Sequence, residues 1–249
     1  GKSAQDAMTV SGSGDVTLEL DGKNELTGGN SGDYGTRGIT SDKGKLTIQG
    51  KEGSSLSATG GSGTKNGGDG ISAYELELVD ATVTAIGGVE TKKDSNIKNS
   101  KLTAKGGGQL HPGEDTSTGG GTGISLFVKG KLVVGEGSEV IAIGGDDKTV
   151  KRSAWGGAAL RFLGTGVGCG YEVQKGGKLT AIGGNAESES GDAEGGNALW
   201  GEYGGIVSAG ETTLIGGNAK SSTGKATGGD AITGNSYYFE RVTVKEGTF

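Results

Sequence analysis

The sequence is poor in the residues that most often carry chemistry. It has one His, one Cys and one Pro, and aromatics make up 5% of its 249 residues. The single cysteine, Cys169, excludes an internal disulfide and reads as a small buried hydrophobe. His111 cannot form a multi-histidine metal site, and beside Pro112 in a long loop it reads as a solvated residue. The serine-rich segment Glu187, Ser188, Glu189, Ser190 lacks a nucleophile elbow. No apolar run approaches the roughly 20 residues of a membrane helix. That absence argues against membrane insertion by this segment, and a formal charge of −6 with no Lys/Arg stripe argues against a nucleic-acid surface.

Glycine is what the chain has in excess, at 57 residues. That is far above the usual share of about 7%, yet the third-position spacing of collagen is missing. A disordered linker has no use for apolar residues that recur in register, and here they do. The segment 179–199, LTAIGGNAESESGDAEGGNAL, contains a short strand-like piece, a Gly-Gly-Asn corner, a polar loop and a second Gly-Gly-Asn corner. The same order returns along the chain at spacings of a few tens of residues, the mark of a stacked repeat.

Aligned on that corner, the second glycines are Gly29, Gly61, Gly88, Gly107, Gly145, Gly184 and Gly217. The apolar residues opening each following repeat are Ile39, Ile71, Ile97, Ile124, Leu160, Leu199 and Ile232. Three short strands per repeat predict an all-β chain: a single-stranded right-handed parallel β-helix, or β-solenoid, of about seven rungs with long loops at one corner. Residues 1–14 read as an N-terminal extension or cap, and residues 15–249 as the β-helix domain. Around Ile97 the spacing leaves no room for a middle strand, so a local narrowing is expected there.

Column by column, the repeat predicts its own interior. Leu26, Ala58, Ala85, Ala104, Ala142, Ala181 and Leu214 form a space-limited inward file. Their neighbours Glu25, Ser57, Thr84, Thr103, Ile141, Thr180 and Thr213 face out. The next file, Thr27, Thr59, Ile86, Lys105, Ile143, Ile182 and Ile215, is outward yet apolar, which predicts that the long loops fold back over Ile143, Ile182 and Ile215. The paired glycines supply backbone conformations at tight corners that a Cβ would forbid. Asn185 and Asn218, with Asn30 and Asp146, read as a side-chain ladder beside those corners.

Support for catalysis is weak and support for binding is better. Asp69 and Asp230 occupy equivalent corner positions but lie too many repeats apart for a glycosidase pair, which needs carboxyls about 5–9.5 Å apart. Loop acids Glu187, Glu189, Asp192 and Glu194 offer oxygens suited to calcium, or simply a solvated acidic loop. The position after the opener carries Thr40, Ser72, Lys98, Ser125, Arg161, Trp200 and Thr233. On that file Trp200 is placed to stack on a sugar, with Arg161 as its neighbour and Trp155 and Tyr203 near the same edge. The same tryptophans could equally be packed under the long loops.

The GGDGI, GGTGI, GGNAL and GGDAI corners, followed by strands such as LTAIGG, resemble the glycine-rich β-helical repeats of bacterial cell-surface proteins, some regarded as carbohydrate-binding. The likeness covers about residues 16–244. It implies a secreted or surface-anchored bacterial protein. Joined to the residue pattern above, the reading is a non-catalytic β-helix whose partner is a polysaccharide or a host or cell-surface glycan, with Trp155, Arg161, Trp200 and Tyr203 as ligand-binding residues, no catalytic residues and no cofactor beyond calcium. Two alternatives stay open: a polysaccharide lyase or hydrolase using Glu202 with Arg161, and a structural spacer or stalk without an exposed aromatic site.

Overall fold

A computed structural model describes residues 5–30, 32–63, 66–111, 119–127, 130–163, 170–201, 204–234 and 239–244. The described residues are all-β, with 28 strands and no helix, so none has a helix long and apolar enough to cross a membrane. Every strand pairing is parallel, and each joins equivalent strands of neighbouring repeats, an arrangement compatible with a β-solenoid.

A seven-stranded sheet runs in the order Glu211–Ile215, Lys178–Ile182, Glu139–Ile143, Lys101–Lys105, Thr82–Ile86, Ser55–Thr59, Lys23–Thr27. Register is fixed by like packing on like: Ala58 pairs with Ala85, Ala85 with Ala104, Ala104 with Ala142 and Ala142 with Ala181. These alanines are fully buried, whereas Thr84, Thr103 and Thr180 beside them are partly exposed. A one-residue slip would turn the whole apolar file out to water, so the sheet has a single register. A second sheet of 14 strands carries the first and second strands of each repeat, because Ile39–Gln49 and Ile71–Val79 run unbroken across both positions.

The two sheets enclose one continuous core from Val10 to Ile206. Leu and Ile fill most of it, and its two largest fully buried side chains, Phe162 and Tyr171, pack on each other with ring centroids 4.7 Å apart. Gly201, paired with Phe162 in the next repeat, leaves space for that ring: a Cβ there would sit against it. The Tyr171 hydroxyl donates to the Ile124 carbonyl at 3.3 Å, which satisfies the one polar atom this pair buries.

Met8–Val10, within the segment read from sequence as an extension, pairs in register with Ile39–Ser41. The shortest repeat departs from expectation. Val89, not Ile97, follows Ile71 in the opener file, while Ile97 pairs with Leu78 and Val134 as a middle-strand residue. No strand is lost. The loop is lost instead: Gly87 and Gly88 lead directly into Val89, with φ of +102° and +97°, and make the corner that a loop makes elsewhere.

At the other corners the glycine pairs serve a different purpose, because they lack positive φ. Glycines leaving the main sheet and glycines returning to it form two files that interlock through their backbones. The Gly157 N–H donates to the Gly145 carbonyl at 2.8 Å, Gly184 to Gly157 at 2.9 Å, Gly196 to Gly184 at 2.8 Å and Gly217 to Gly196 at 2.8 Å. A Cβ on Gly184 or Gly196 would lie well under 3.0 Å from a neighbouring carbonyl. Close approach, rather than unusual dihedrals, is what these corners require.

Beyond this glycine neck the long loops stack on one another. Gln109–His111, Asp147–Thr149, Ala186–Ser188 and Ala219–Ser221 form a four-stranded sheet, and Ala154–Trp155, Ala193–Glu194 and Ala226–Thr227 a three-stranded one. Between them lies a separate apolar cluster of Ala154, Ala186, Ala193 and Ala219. The loops therefore build a side lobe and do not seal the three isoleucines they were expected to cover: Ile215 is 49% exposed, and Ile143 and Ile182 are half-buried.

The asparagine ladder is present and has a direction. Asp146 Oδ1 accepts the Asn185 N–H at 2.7 Å, Asn185 Oδ1 accepts the Asn218 N–H at 2.9 Å, and Asn30 Oδ1 accepts the Ser62 N–H at 2.8 Å. Each side chain thus satisfies a backbone donor of the next repeat at a corner where the sheet ladder is interrupted.

Candidate functional site

The file after the opener runs Thr40, Ser72, Glu90, Ser125, Arg161, Trp200, Thr233 in continuous parallel register. Glu90 takes the place expected for Lys98, which belongs to the middle strand and forms an ion pair with Glu77. This file flanks the glycine neck, and between them lie two clefts.

The first cleft, of about 290 Å³, is lined by Trp155, Arg161, Glu194, Asn197 and Trp200 together with neck glycines. Three of the four residues singled out from sequence therefore meet in one place; Tyr203, with Glu202, lies outside the described residues. Arg161 sits one repeat from Trp200 with its guanidinium carbon 4.8 Å from the ring centroid, a cation–π stack. Trp155 reaches the cleft from the lobe and is 40% exposed. Its position depends on Asp147, a buried carboxylate that accepts the Trp155 N–H at 3.0 Å and both terminal nitrogens of Arg152 at 3.2 Å. Arg152 in turn lies 5.8 Å from the Trp155 ring centroid.

The second cleft, of about 420 Å³, shares Gly119, Gly120, Thr122 and Arg161 with the first and adds Asp69, Val89, Glu90, Ser125, Phe127 and Leu163. Asp69 accepts a hydrogen bond from Arg37 Nε at 3.2 Å. Burial, with the nearby Glu90 charge, pushes its carboxyl up to about 6, against the opposing pull of Arg37. Glu90 is half-buried, and among the described residues no cation stands within ion-pair distance of it.

Two of the four loop acids, Glu187 and Asp192, are engaged in structure. Glu187 pairs with Lys148 at 3.0 Å and Lys220 at 3.5 Å, and the Lys148 hydrogen bond holds its carboxyl below the usual range. Asp192 Oδ1 accepts the Lys225 N–H at 2.8 Å. Among the described residues no group of three or more His, Cys, Asp or Glu is placed to hold a metal ion.

Sequence reasoning missed Glu90, Asp147, Asn197 and Thr122 as cleft or support residues. Asn197 and Thr122 were visible at the corner position before the opener, whereas Glu90 was hidden by the misplaced Ile97. Comparison with protein-family models gives no match, and neither do comparisons with curated proteins or solved structures. The functional reading therefore stands on the geometry of the groove.

Proposed function

We propose that this chain is a right-handed parallel β-helix of about seven turns that binds a glycan without catalysis, at the surface of a bacterium or secreted from it. The right hand follows from the crossover preference of parallel strands. The observation that supports binding is the convergence of Trp155, Arg161 and Trp200 on one cleft from two different sheets. An aromatic face held rigid by a repeat scaffold offers a sugar ring apolar stacking area, and Glu194 and Asn197 beside it offer hydrogen-bond partners for hydroxyls. Calcium has no necessary part in this reading.

A glycan array probed with wild type, Trp200→Ala and Trp155→Ala tests it. Binding that falls at least about tenfold in both variants supports the site. Unchanged binding by the variants removes it, and silence of the wild type across the array leaves a structural spacer. The hydrolase alternative has one observation in its favour, the raised carboxyl of Asp69 beside Glu90 in a cleft. A reducing-end assay on polysaccharides with wild type and Asp69→Asn tests that alternative, and no product from the wild type ends it.

A further inference from the structure

The two clefts are one groove. They share Arg161, Thr122, Gly119 and Gly120, and their floor is a single file of residues in register from Trp200 through Arg161 and Ser125 to Glu90. Successive residues on this file are about 4.8 Å apart, the spacing of stacked strands, which is close to the advance per sugar of an extended polysaccharide. A terminal sugar would occupy only the tryptophan end. The neck glycines add no side chains to one wall, so along the stacking direction that wall narrows only where Trp155, Glu194, Asn197, Thr122 and Asp69 flank them.

Charge distinguishes the two ends. At the tryptophan end, Arg161 and Glu194 are both present. At the other end, Asp69 is held by Arg37 while Glu90 has no cationic partner among the described residues. Glu90 is flanked on its file by Ser72 and Ser125, and it shares the cleft with Asp69, held by Arg37, and with Arg161 at the shared boundary. Apolar Phe127, Val89 and Leu163 line the same cleft and lower its polarity, which strengthens any interaction with the Glu90 charge. A uronate over Glu90 would be repelled, a neutral sugar tolerated and an ammonium-bearing sugar attracted.

We propose that the groove is a single elongated site for a linear polysaccharide running along the stacking direction, with its Glu90 end selecting a sugar that carries a primary ammonium group. This rests on the glycan-binding reading and adds to it the length, direction and charge class of the ligand.

Isothermal titration with chito-oligosaccharides of two to six sugars, in free-amine and fully N-acetylated forms and against oligogalacturonate, tests the proposal at pH 6. Affinity rises with length up to about four sugars in both chito series. The free-amine tetramer binds about tenfold more tightly than its acetylated counterpart, the factor expected of one added charge-assisted hydrogen bond. Glu90→Gln removes that difference, and oligogalacturonate does not bind. Equal affinity of the amine and acetylated forms, or a Glu90→Gln variant that keeps the preference, overturns the charge assignment while glycan binding stands. Affinity flat from dimer to hexamer overturns the elongated site. If all oligomers fail and the array is also silent, the inference falls together with the reading beneath it.

Discussion

Replacing Gly184 by Ala separates the two reasons a corner can need glycine. Gly184 has no positive φ, so on backbone freedom alone an alanine there would stabilise by about 0.4–1 kcal/mol, by restricting the unfolded chain. The neck opposes this. A Cβ at 184 would press on the Gly145 carbonyl well under 3.0 Å away, where the obstacle is backbone and cannot swing aside. Relieving it means separating strands joined by the Gly184 to Gly157 and Gly196 to Gly184 hydrogen bonds of 2.9 and 2.8 Å. Two such bonds contribute about 1 kcal/mol each, and overpacking adds about 1–3 kcal/mol. The clash wins, and the net destabilisation is about 2–4 kcal/mol. Gly107 is the control: it also has no positive φ, and a Cβ on it would meet nothing within 4 Å. Urea unfolding followed by circular dichroism measures both variants. Gly184→Ala lowers the midpoint and Gly107→Ala leaves it level or raises it slightly. Equal behaviour of the two would refute the interlocked-neck account.

Leu179→Ala, at a fully buried core position, costs about 2–5 kcal/mol, while Thr180→Ala next to it stays within about 0.5 kcal/mol; urea midpoints of the pair check the inward and outward faces. Asp147→Ala leaves Arg152 buried without its carboxylate and costs about 3–5 kcal/mol within the lobe. Hydrogen exchange then shows faster exchange at 147–155 with the Ala58 to Ala181 sheet unchanged, and glycan affinity falls as far as in Trp155→Ala. Asp69 titrates near 6 in the fold against an ordinary 3.8, so the native state binds its proton first as pH falls. Its ionised form therefore opposes folding above pH 6, and that cost disappears as pH drops through 6 toward 4. Asp69→Asn is accordingly more stable than wild type by about 1–2 kcal/mol at pH 8, after allowance for its partial exposure, and indistinguishable from it near pH 4 by thermal melts; a gap between variant and wild type that does not shrink from pH 6 to pH 4 would contradict this.

The sequence by itself determined the parallel stacking, the alanine file and the asparagine ladder. Parallel in-register strands place equivalent residues over one another, so whatever the core demands at one repeat it demands at the next, and Ala58, Ala85, Ala104, Ala142 and Ala181 recur visibly. The outward file leading to Arg161 and Trp200 followed from the same alternation. Tertiary structure alone decided the rest. Gly87 and Gly88 look like the start of a loop, and only their dihedrals show them to be the whole corner, which moves Val89 and Glu90 into the files given to Ile97 and Lys98. The glycines of the neck owe their identity to carbonyls of neighbouring repeats and of the returning chain, distant in sequence. Whether the long loops would cover the isoleucines or pair with each other was settled by hydrogen bonding: stacked loops satisfy their own backbone groups repeat after repeat. That choice leaves Ile215 facing water and brings Trp155 across to the groove.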